Sequence, residues 1–246
     1  RLDRKLITRI FRYGLPSGVQ FFIDISGFSI FILLVGRIGM DELAATSITF
    51  NINTLAFMPM IGFGVAISVV VGQFQGKDQP ESAERSVYSG AHICFLYMIA
   101  VALTYVLIPQ IYIGAFAAKA DPAEFAAIRR FITTMLRFVA VYTVFDTMNI
   151  VFASALKGAG DTRFVMIMII ILSVGGLTLP AILLIAVFNT GIWSAWYLMS
   201  GYIITLAFCF LLRFLSGKWK TMKVIERGET AISINYPEVP TPESEV

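Results

Sequence analysis

The sequence predicts an all-α integral membrane protein with six membrane-spanning helices. Its hydrophobic fraction is 57% and its charged fraction is 14%, whereas soluble domains have about 45–50% and about 25%. The mean hydropathy is +0.79. Residues 164–212 contain no charged side chain, and the long apolar runs lack the two-residue alternation of barrel strands, so the spans are expected to be helices.

The amino-terminal part of the chain predicts a lead-in followed by two long spans. Residues 1–13 contain five basic side chains and apolar residues at helical spacing, which is typical of an amphipathic segment on the cytoplasmic face. The predicted six-helix lobe covers residues 14–216. Its first span, residues 16–36, is expected to begin at Pro16, because proline fits the first turn of a helix. Residues 43–76 carry no charge and exceed one perpendicular span, so this helix is expected to tilt.

The rest of the chain predicts four more spans and a polar tail. A connection over residues 110–130 precedes the fourth span, and Gly175, Gly176 and Pro180 are expected to interrupt the fifth. Residues 217–246 are predicted to be a basic cytoplasmic segment followed by a disordered acidic tail, because they have little apolar surface to bury. The four spans are residues 87–108, residues 131–156, a run beginning near residue 164, and residues 192–212.

The basic residues predict the orientation in the membrane. Six spans place both ends of the chain on one side, and with that side inside, 14 of the 19 Lys and Arg residues lie in inner segments. Because an excess of Lys and Arg marks cytoplasmic loops, both termini are expected to be cytoplasmic. The basic residues do not form a stripe along one face, so no nucleic-acid partner is expected.

Two acidic residues, Asp24 and Asp146, fall inside predicted spans. Asp24 lies 12 residues after Arg12 and Asp146 lies 11 residues before Lys157, which places both carboxylates ~16–18 Å from the inner boundary, near the bilayer centre. An acid at this depth is costly and normally faces a protein interior or a water-filled cavity. Such carboxylates can hold a proton or bind a cation, and if the coupling ion is Na⁺, both are expected to be its ligands.

A structural role is the alternative for each acid, because hydrogen bonds from neighbouring helices can satisfy a buried aspartate. Side chains on the same helical faces favour a site. Gln20 lies at i−4 from Asp24, while Tyr142 and Asn149 lie at i−4 and i+3 from Asp146, each within one helical turn. Tyr142 is therefore a third candidate for cation or proton binding. The candidates for lining a substrate path are Gln20, Phe28, Phe31, Asn53, Met148 and Asn149.

Four stretches of the chain resemble the multidrug and toxic compound extrusion (MATE) family, and specifically the carboxy-terminal half of a NorM-like member. The turn ALKGAGDTR and the segment ELAA are moderate signals individually, and in this order and spacing they are strong. The matching stretches cover nearly the whole chain except the tail: residues 14–31, 35–53, 60–76 and 142–163.

The resemblance implies both a fold and a site. It implies a transporter of two pseudo-symmetric six-helix lobes that moves organic cations outward against an inward flux of sodium or protons. In the NorM-like pattern the carboxy-terminal lobe has an acid in its first helix and a Tyr-x-x-x-Asp pair in its fourth. These positions correspond to Asp24, Tyr142 and Asp146, with Asp24 standing where that branch commonly has Glu.

The expected function is therefore that of one lobe of a cation-coupled multidrug antiporter in the inner membrane of a bacterium. The expected partners are the lipid bilayer, organic cation substrates and an amino-terminal six-helix lobe, which belongs either to the same polypeptide or to a second half-length chain. The sequence shows no enzyme motif and no cofactor motif. The only small species expected besides the substrate is the coupling ion, Na⁺ or H⁺.

Two other functions remain open from the sequence. A lipid-linked precursor flippase of the same superfamily would need basic residues to hold a pyrophosphate, and the predicted spans contain Arg137 alone. A non-transporting half that only binds a partner is the second alternative. Two acids at one depth argue against it, because acids are rarely kept at mid-membrane without a function.

Overall fold

The computed structural model describes residues 4–117 and 122–222, and it confirms an all-helical membrane protein. Within these ranges six helices are long and apolar enough to cross a membrane, and no strand is present. The disordered tail predicted within residues 217–246 lies outside the described residues from residue 223 onward. The six membrane-spanning ranges are Gly14–Ile38, Met40–Gly76, Pro80–Leu107, Ile128–Gly158, Thr162–Val187 and Ile192–Leu215.

The first three helices are long and continuous. Helix α1, Arg4–Ile38, joins the predicted lead-in to the first span, and Pro16 lies inside it rather than at its start. Membrane helices tolerate an internal proline because neighbouring groups satisfy the backbone carbonyl that loses its partner. Helix α2, Met40–Gly76, likewise continues through Pro59, and α3 covers Pro80–Leu107.

Helical structure extends into the connection that the sequence predicts over residues 110–130. Helix α4 covers Pro109–Ala117 and α5 covers Pro122–Gly158. Both begin with proline, which lacks the amide that a first helical turn leaves unpaired. The predicted third span ends at residue 108, directly before Pro109. The structure shows that the same residue begins the next helix.

The fifth span changes helix type part-way, as the prediction of an interruption implies. Helix α6, Thr162–Ile171, continues into a π-helical segment, Leu172–Thr178, then into the short helix α7, Leu179–Ala181, and a second π-helical segment, Ile182–Val187. Pro180 lies in α7 and cannot donate an amide to the preceding turn. The wider π-helical turns on either side accommodate that missing hydrogen bond.

The last span, α8, covers Ile192–Leu215 and ends in a compact cap. Gly217 has φ 68°, in the left-handed region that favours glycine, and turns the chain into the 3₁₀ segment Lys218–Thr221. Trp219 is fully buried. Its ring stacks on Phe214 at a centroid distance of 5.1 Å, and its indole nitrogen donates to the Phe214 carbonyl oxygen at 2.9 Å.

Helix α5 is the centre of the lobe. It packs most extensively against α2, α3 and α8, and its membrane-spanning part is the most buried of the six. The α2–α5 crossing is close because small residues line it, a pattern typical of membrane helix pairs. A Cβ built on Gly158 would collide with the backbone of Ser68, and a Cβ on Gly72 would lie 3.3 Å from the Gly158 carbonyl oxygen.

Three polar contacts connect the helix ends on the side of the lobe where α1 begins and α8 ends, which we call the terminus side. Arg213 forms an ion pair with Asp161 at 2.7 Å, and both side chains are largely buried. Lys220 forms a second ion pair with Glu84 at 2.6 Å. Gln75 donates to the Trp219 carbonyl oxygen at 2.8 Å. Together these contacts connect α2, α3, α8 and the turn before α6.

A cavity lined by two acids

A cavity of about 850 Å³ lies between α1, α2, α5, α6 and α8. Both predicted acids, Asp24 on α1 and Asp146 on α5, line it. The lining residues run from the level of the two acids toward the terminus side of the lobe. The structure therefore brings the two carboxyl groups together at the deep end of one cavity, across which each lies within electrostatic reach of the other.

The Asp146 carboxylate is held by Asn149, one turn further along α5. The Asn149 amide nitrogen donates to Asp146 Oδ1 at 3.3 Å and to the Ile203 carbonyl oxygen on α8 at 3.2 Å. The Asn149 Oδ1 atom is buried and has no hydrogen-bond partner among the described residues. An unpaired buried carbonyl oxygen next to a carboxylate is an additional oxygen that a cation can use.

Asp24 has a similar neighbour on its own helix. The Gln20 amide nitrogen donates to Asp24 Oδ2 at 3.4 Å, and Gln20 also lines the cavity. The i−4 spacing predicted this pairing, because residues four apart share a helical face. Lys157 lines the same cavity, and its ammonium is within electrostatic reach of the Asp24 carboxyl group.

Tyr202 on α8 is a cavity residue that the sequence analysis missed. It lines the cavity, and both acids lie within electrostatic reach of its phenol group. Its depth in the membrane could have been predicted from the sequence. Tyr202 lies 11 residues before Arg213, the same separation as that of Asp146 from Lys157.

Lys157 was expected to mark the inner boundary of the fourth span. It lies in the last turn of α5, as a boundary residue would, and it also lines the cavity that contains both acids. A lysine can reach inward from a helix end because its charge sits on a four-carbon stem. The cavity therefore contains charges of both signs.

Tyr142 is close to the acid site but outside the cavity wall. It is 2% exposed and lies one turn from Asp146 on the side away from the termini, where its phenol is within electrostatic reach of the Asp146 carboxyl group. Tyr142 is not among the described residues that line the cavity. Its predicted contribution to cation or proton binding stays a prediction.

Four of the predicted substrate-lining residues also lie outside the cavity wall. Phe28 packs edge-on against Phe50 at 4.8 Å, and Phe31 is 1% exposed in the core. Asn53 is buried on α2, with an Oδ1 atom that has no hydrogen-bond partner in the described part of the chain. Met148 packs against the core on the terminus side. The first three lie beyond the acids, away from the termini, whereas the cavity extends in the other direction.

The remaining wall of the cavity is largely apolar. Phe21, Phe57, Ile61, Leu206 and Phe210 contribute to it. Apolar and aromatic walls with a few polar groups are typical of pockets for organic molecules. No group of three or more His, Cys, Asp and Glu side chains that could hold a metal ion occurs in residues 4–117 and 122–222.

Comparisons with known proteins agree with this architecture. The MatE family model matches residues 16–182. A probable multidrug resistance protein NorM of Thermotoga maritima is 30% identical over 219 residues, which cover 89% of this chain and 46% of the relative. The corresponding protein of Brucella suis biovar 1 is 30% identical over 168 residues, covering 68% and 36%.

Solved structures show the same fold. A crystal structure of MATE in the bent conformation matches with a TM-score of 0.77 and 19% identity, covering 89% of this chain and 48% of that one. An outward-facing MATE family transporter of the MOP superfamily matches with a TM-score of 0.78 and 18% identity, covering 91% and 49%. The chain spans about half the length of these solved proteins and a third to a half of the curated relatives. With a family model matched over two thirds of its length, this chain belongs to the MATE family of multidrug efflux transporters.

Proposed function

We propose that the chain is the carboxy-terminal lobe of an antiporter that exports organic cations, and that Asp24 and Asp146 bind the coupling cation or proton. The observation that carries this proposal is the convergence of two carboxylates from separate helices on one largely apolar cavity inside the membrane-spanning part. Acids at such a place mark ion pathways in transporters. Flat apolar walls suit organic cations, which the carboxylates would neutralise.

In the proposed cycle, the coupling ion and the cationic substrate compete for the same carboxylate oxygens. A proton or sodium ion from outside neutralises Asp146, with help from Asp24, Tyr142 and the Asn149 amide oxygen. Neutralisation weakens the attraction between the carboxylate and a cationic substrate, so the substrate leaves outward. Discharge of the ion to the cytoplasm restores the negative charge. The ion drives transport only if its affinity differs between the two facing states.

The orientation of the cavity fits the substrate-loading stage of this cycle. We propose that both termini are cytoplasmic in a bacterial inner membrane, as the basic residues predict. The cavity then extends from the acids toward the cytoplasm, the side from which an exported substrate comes. Alternating access in transporters built from repeats needs two units around a shared site, so we propose an amino-terminal six-helix lobe as the partner.

The test is gradient-driven transport by the whole product of the native gene in liposomes. Liposomes loaded with radiolabelled tetraphenylphosphonium receive an inward gradient of Na⁺ at constant pH or of H⁺ at constant Na⁺, with the membrane potential clamped by potassium and valinomycin. We expect one gradient to accelerate release of the probe relative to protein-free liposomes. Release that neither gradient accelerates would contradict the proposal. The intact mass of the gene product shows whether both lobes are on one chain.

A second expected result concerns Tyr202. Replacing it with phenylalanine removes the hydroxyl that lies near both carboxyl groups while retaining the ring. Because the loss of one polar group typically costs about 0.5–1.5 kcal/mol, we expect the half-saturating concentration of the coupling ion to rise by roughly two- to tenfold. The matched control is Tyr197→Phe on the same helix, since Tyr197 is 67% exposed. Equal effects of the two substitutions would argue against a contribution of Tyr202 to the site.

A further inference from the structure

Three charged side chains line the cavity among the described residues: Asp24, Asp146 and Lys157. With all three ionised the site has a net charge of −1. Lys157 lies near the terminus-side end of the cavity, about 16 Å along α5 from Asp146 by helical rise. A cation that approaches the acids from that end therefore passes the ammonium group.

Lys157 has no close acidic partner in residues 4–117 and 122–222. The two ion pairs within 4 Å there join Arg213 to Asp161 and Lys220 to Glu84. Lys157 and Asp24 nevertheless line the same cavity, and the Asp24 carboxyl group is within electrostatic reach of the Lys157 ammonium. Lys157 is half-buried, and a half-buried charge without an ion pair is costly unless another charge compensates it. The charges of opposite sign that line the same cavity are the carboxyl groups of Asp24 and Asp146.

The base of the Lys157 side chain is held rigidly. The next residue, Gly158, packs directly on the backbone of Ser68 in α2, so the last turn of α5 cannot shift toward or away from that helix without breaking the contact. The flexible part is the four-carbon stem that carries the ammonium. Lys157 is thus a mobile positive charge on a fixed base, at the end of a cavity that holds two negative charges.

We propose that Lys157 is a tethered counter-ion that competes with cationic cargo for Asp24 and thereby lowers the affinity of the cavity for organic cations. The inference rests on the proposed function, since it assumes that the acids attract the cargo. A cavity with two unopposed carboxylates would hold a cation tightly and release it slowly. Competition by Lys157 weakens that hold at Asp24 and leaves Asp146 for the coupling ion.

The test measures equilibrium binding of tetraphenylphosphonium to the purified whole gene product. Removing the ammonium with Lys157→Gln raises the net negative charge of the site, and we expect about tenfold tighter binding, the scale of a Coulomb interaction across a partly solvated cavity. Lys157→Arg keeps the charge and should bind within about twofold of the wild type. In an Asp24→Asn background, Lys157→Gln should tighten binding by a much smaller factor. A structural role for Lys157 would not produce this dependence on Asp24.

The matched control is Lys77→Gln, which removes an exposed lysine that follows α2 on the same side of the lobe. It should leave the affinity for tetraphenylphosphonium unchanged. If Asp146→Asn weakens binding but Lys157→Gln does not tighten it, the counter-ion is overturned and the proposed function stands. If Lys157→Gln tightens binding equally with and without Asp24, the competition for Asp24 is overturned. Absence of binding to the wild type would contradict the proposed function and the counter-ion together.

Discussion

Replacing Asp146 with asparagine is expected to abolish ion-coupled export. Asparagine has nearly the same shape but cannot take up a proton at this site or neutralise a cation. Loss of one member of a buried charge interaction costs about 2–5 kcal/mol, so the rate of gradient-driven release should fall on the order of 100-fold. The measurement is the liposome assay with tetraphenylphosphonium, run at matched amounts of reconstituted protein.

Asp41→Asn is the matched control for this substitution. Asp41 is exposed in the first turn of α2, far along the chain from the cavity wall, and the same change of acid to amide there should leave export unchanged. The Asp146→Asn protein should still insert and elute as a single species in size-exclusion chromatography. Normal export by this variant would mean that Asp146 is a structural residue satisfied by Asn149.

The six spans and the common depth of the two acids could be predicted from the sequence because each depends on a local property. A span is a run of apolar residues, and depth follows from the helical rise between an acid and the nearest basic boundary. Asp24 and Asp146 therefore fell in one cavity as expected. Gln20 and Asn149 followed from the spacing of residues on one helical face.

The extent of the cavity could not be predicted in the same way. The sequence predicts Phe31 and Asn53 as lining residues as readily as Gln20, because no local pattern shows on which side of the acids the space lies. The structure shows that the space lies on one side of the acids only. That asymmetry depends on how five helices pack around the space, and it is not a property of any one helix.

The sequence also did not predict that Lys157 lines the cavity. Its position at a helix end predicts a residue of the membrane boundary, and the scarcity of basic residues in the predicted spans argues against the flippase alternative. The long stem of lysine allows its charge to lie well inside its Cα position. One lysine at the terminus-side end of a cavity that also contains two acids still differs from the cluster of basic groups that a pyrophosphate requires.

The second large effect is expected at Gly158, where α5 crosses α2. A Cβ at this position would overlap the carbonyl oxygen of Ser68 and lie 2.9 Å from its Cα. Overpacking usually costs about 1–3 kcal/mol, and we expect Gly158→Ala to reach about 3 kcal/mol because a helix backbone cannot move aside as a side chain can. The yield of folded, monodisperse protein should fall several-fold, and its midpoint of thermal denaturation in detergent should decrease.

Gly201→Ala on α8 is the control, because a Cβ there meets no atom within 4 Å. Alanine favours a helix interior over glycine by roughly 0.5–1 kcal/mol, so this variant should be as stable as the wild type or slightly more stable. A second variant tests whether the new Cβ overlaps the backbone or the side chain of Ser68. Ser68→Gly removes only the Ser68 side chain, so it should not rescue Gly158→Ala. Rescue, or a thermal midpoint equal to that of Gly201→Ala, would show that the two helices can separate at this crossing and that the base of Lys157 is not fixed there.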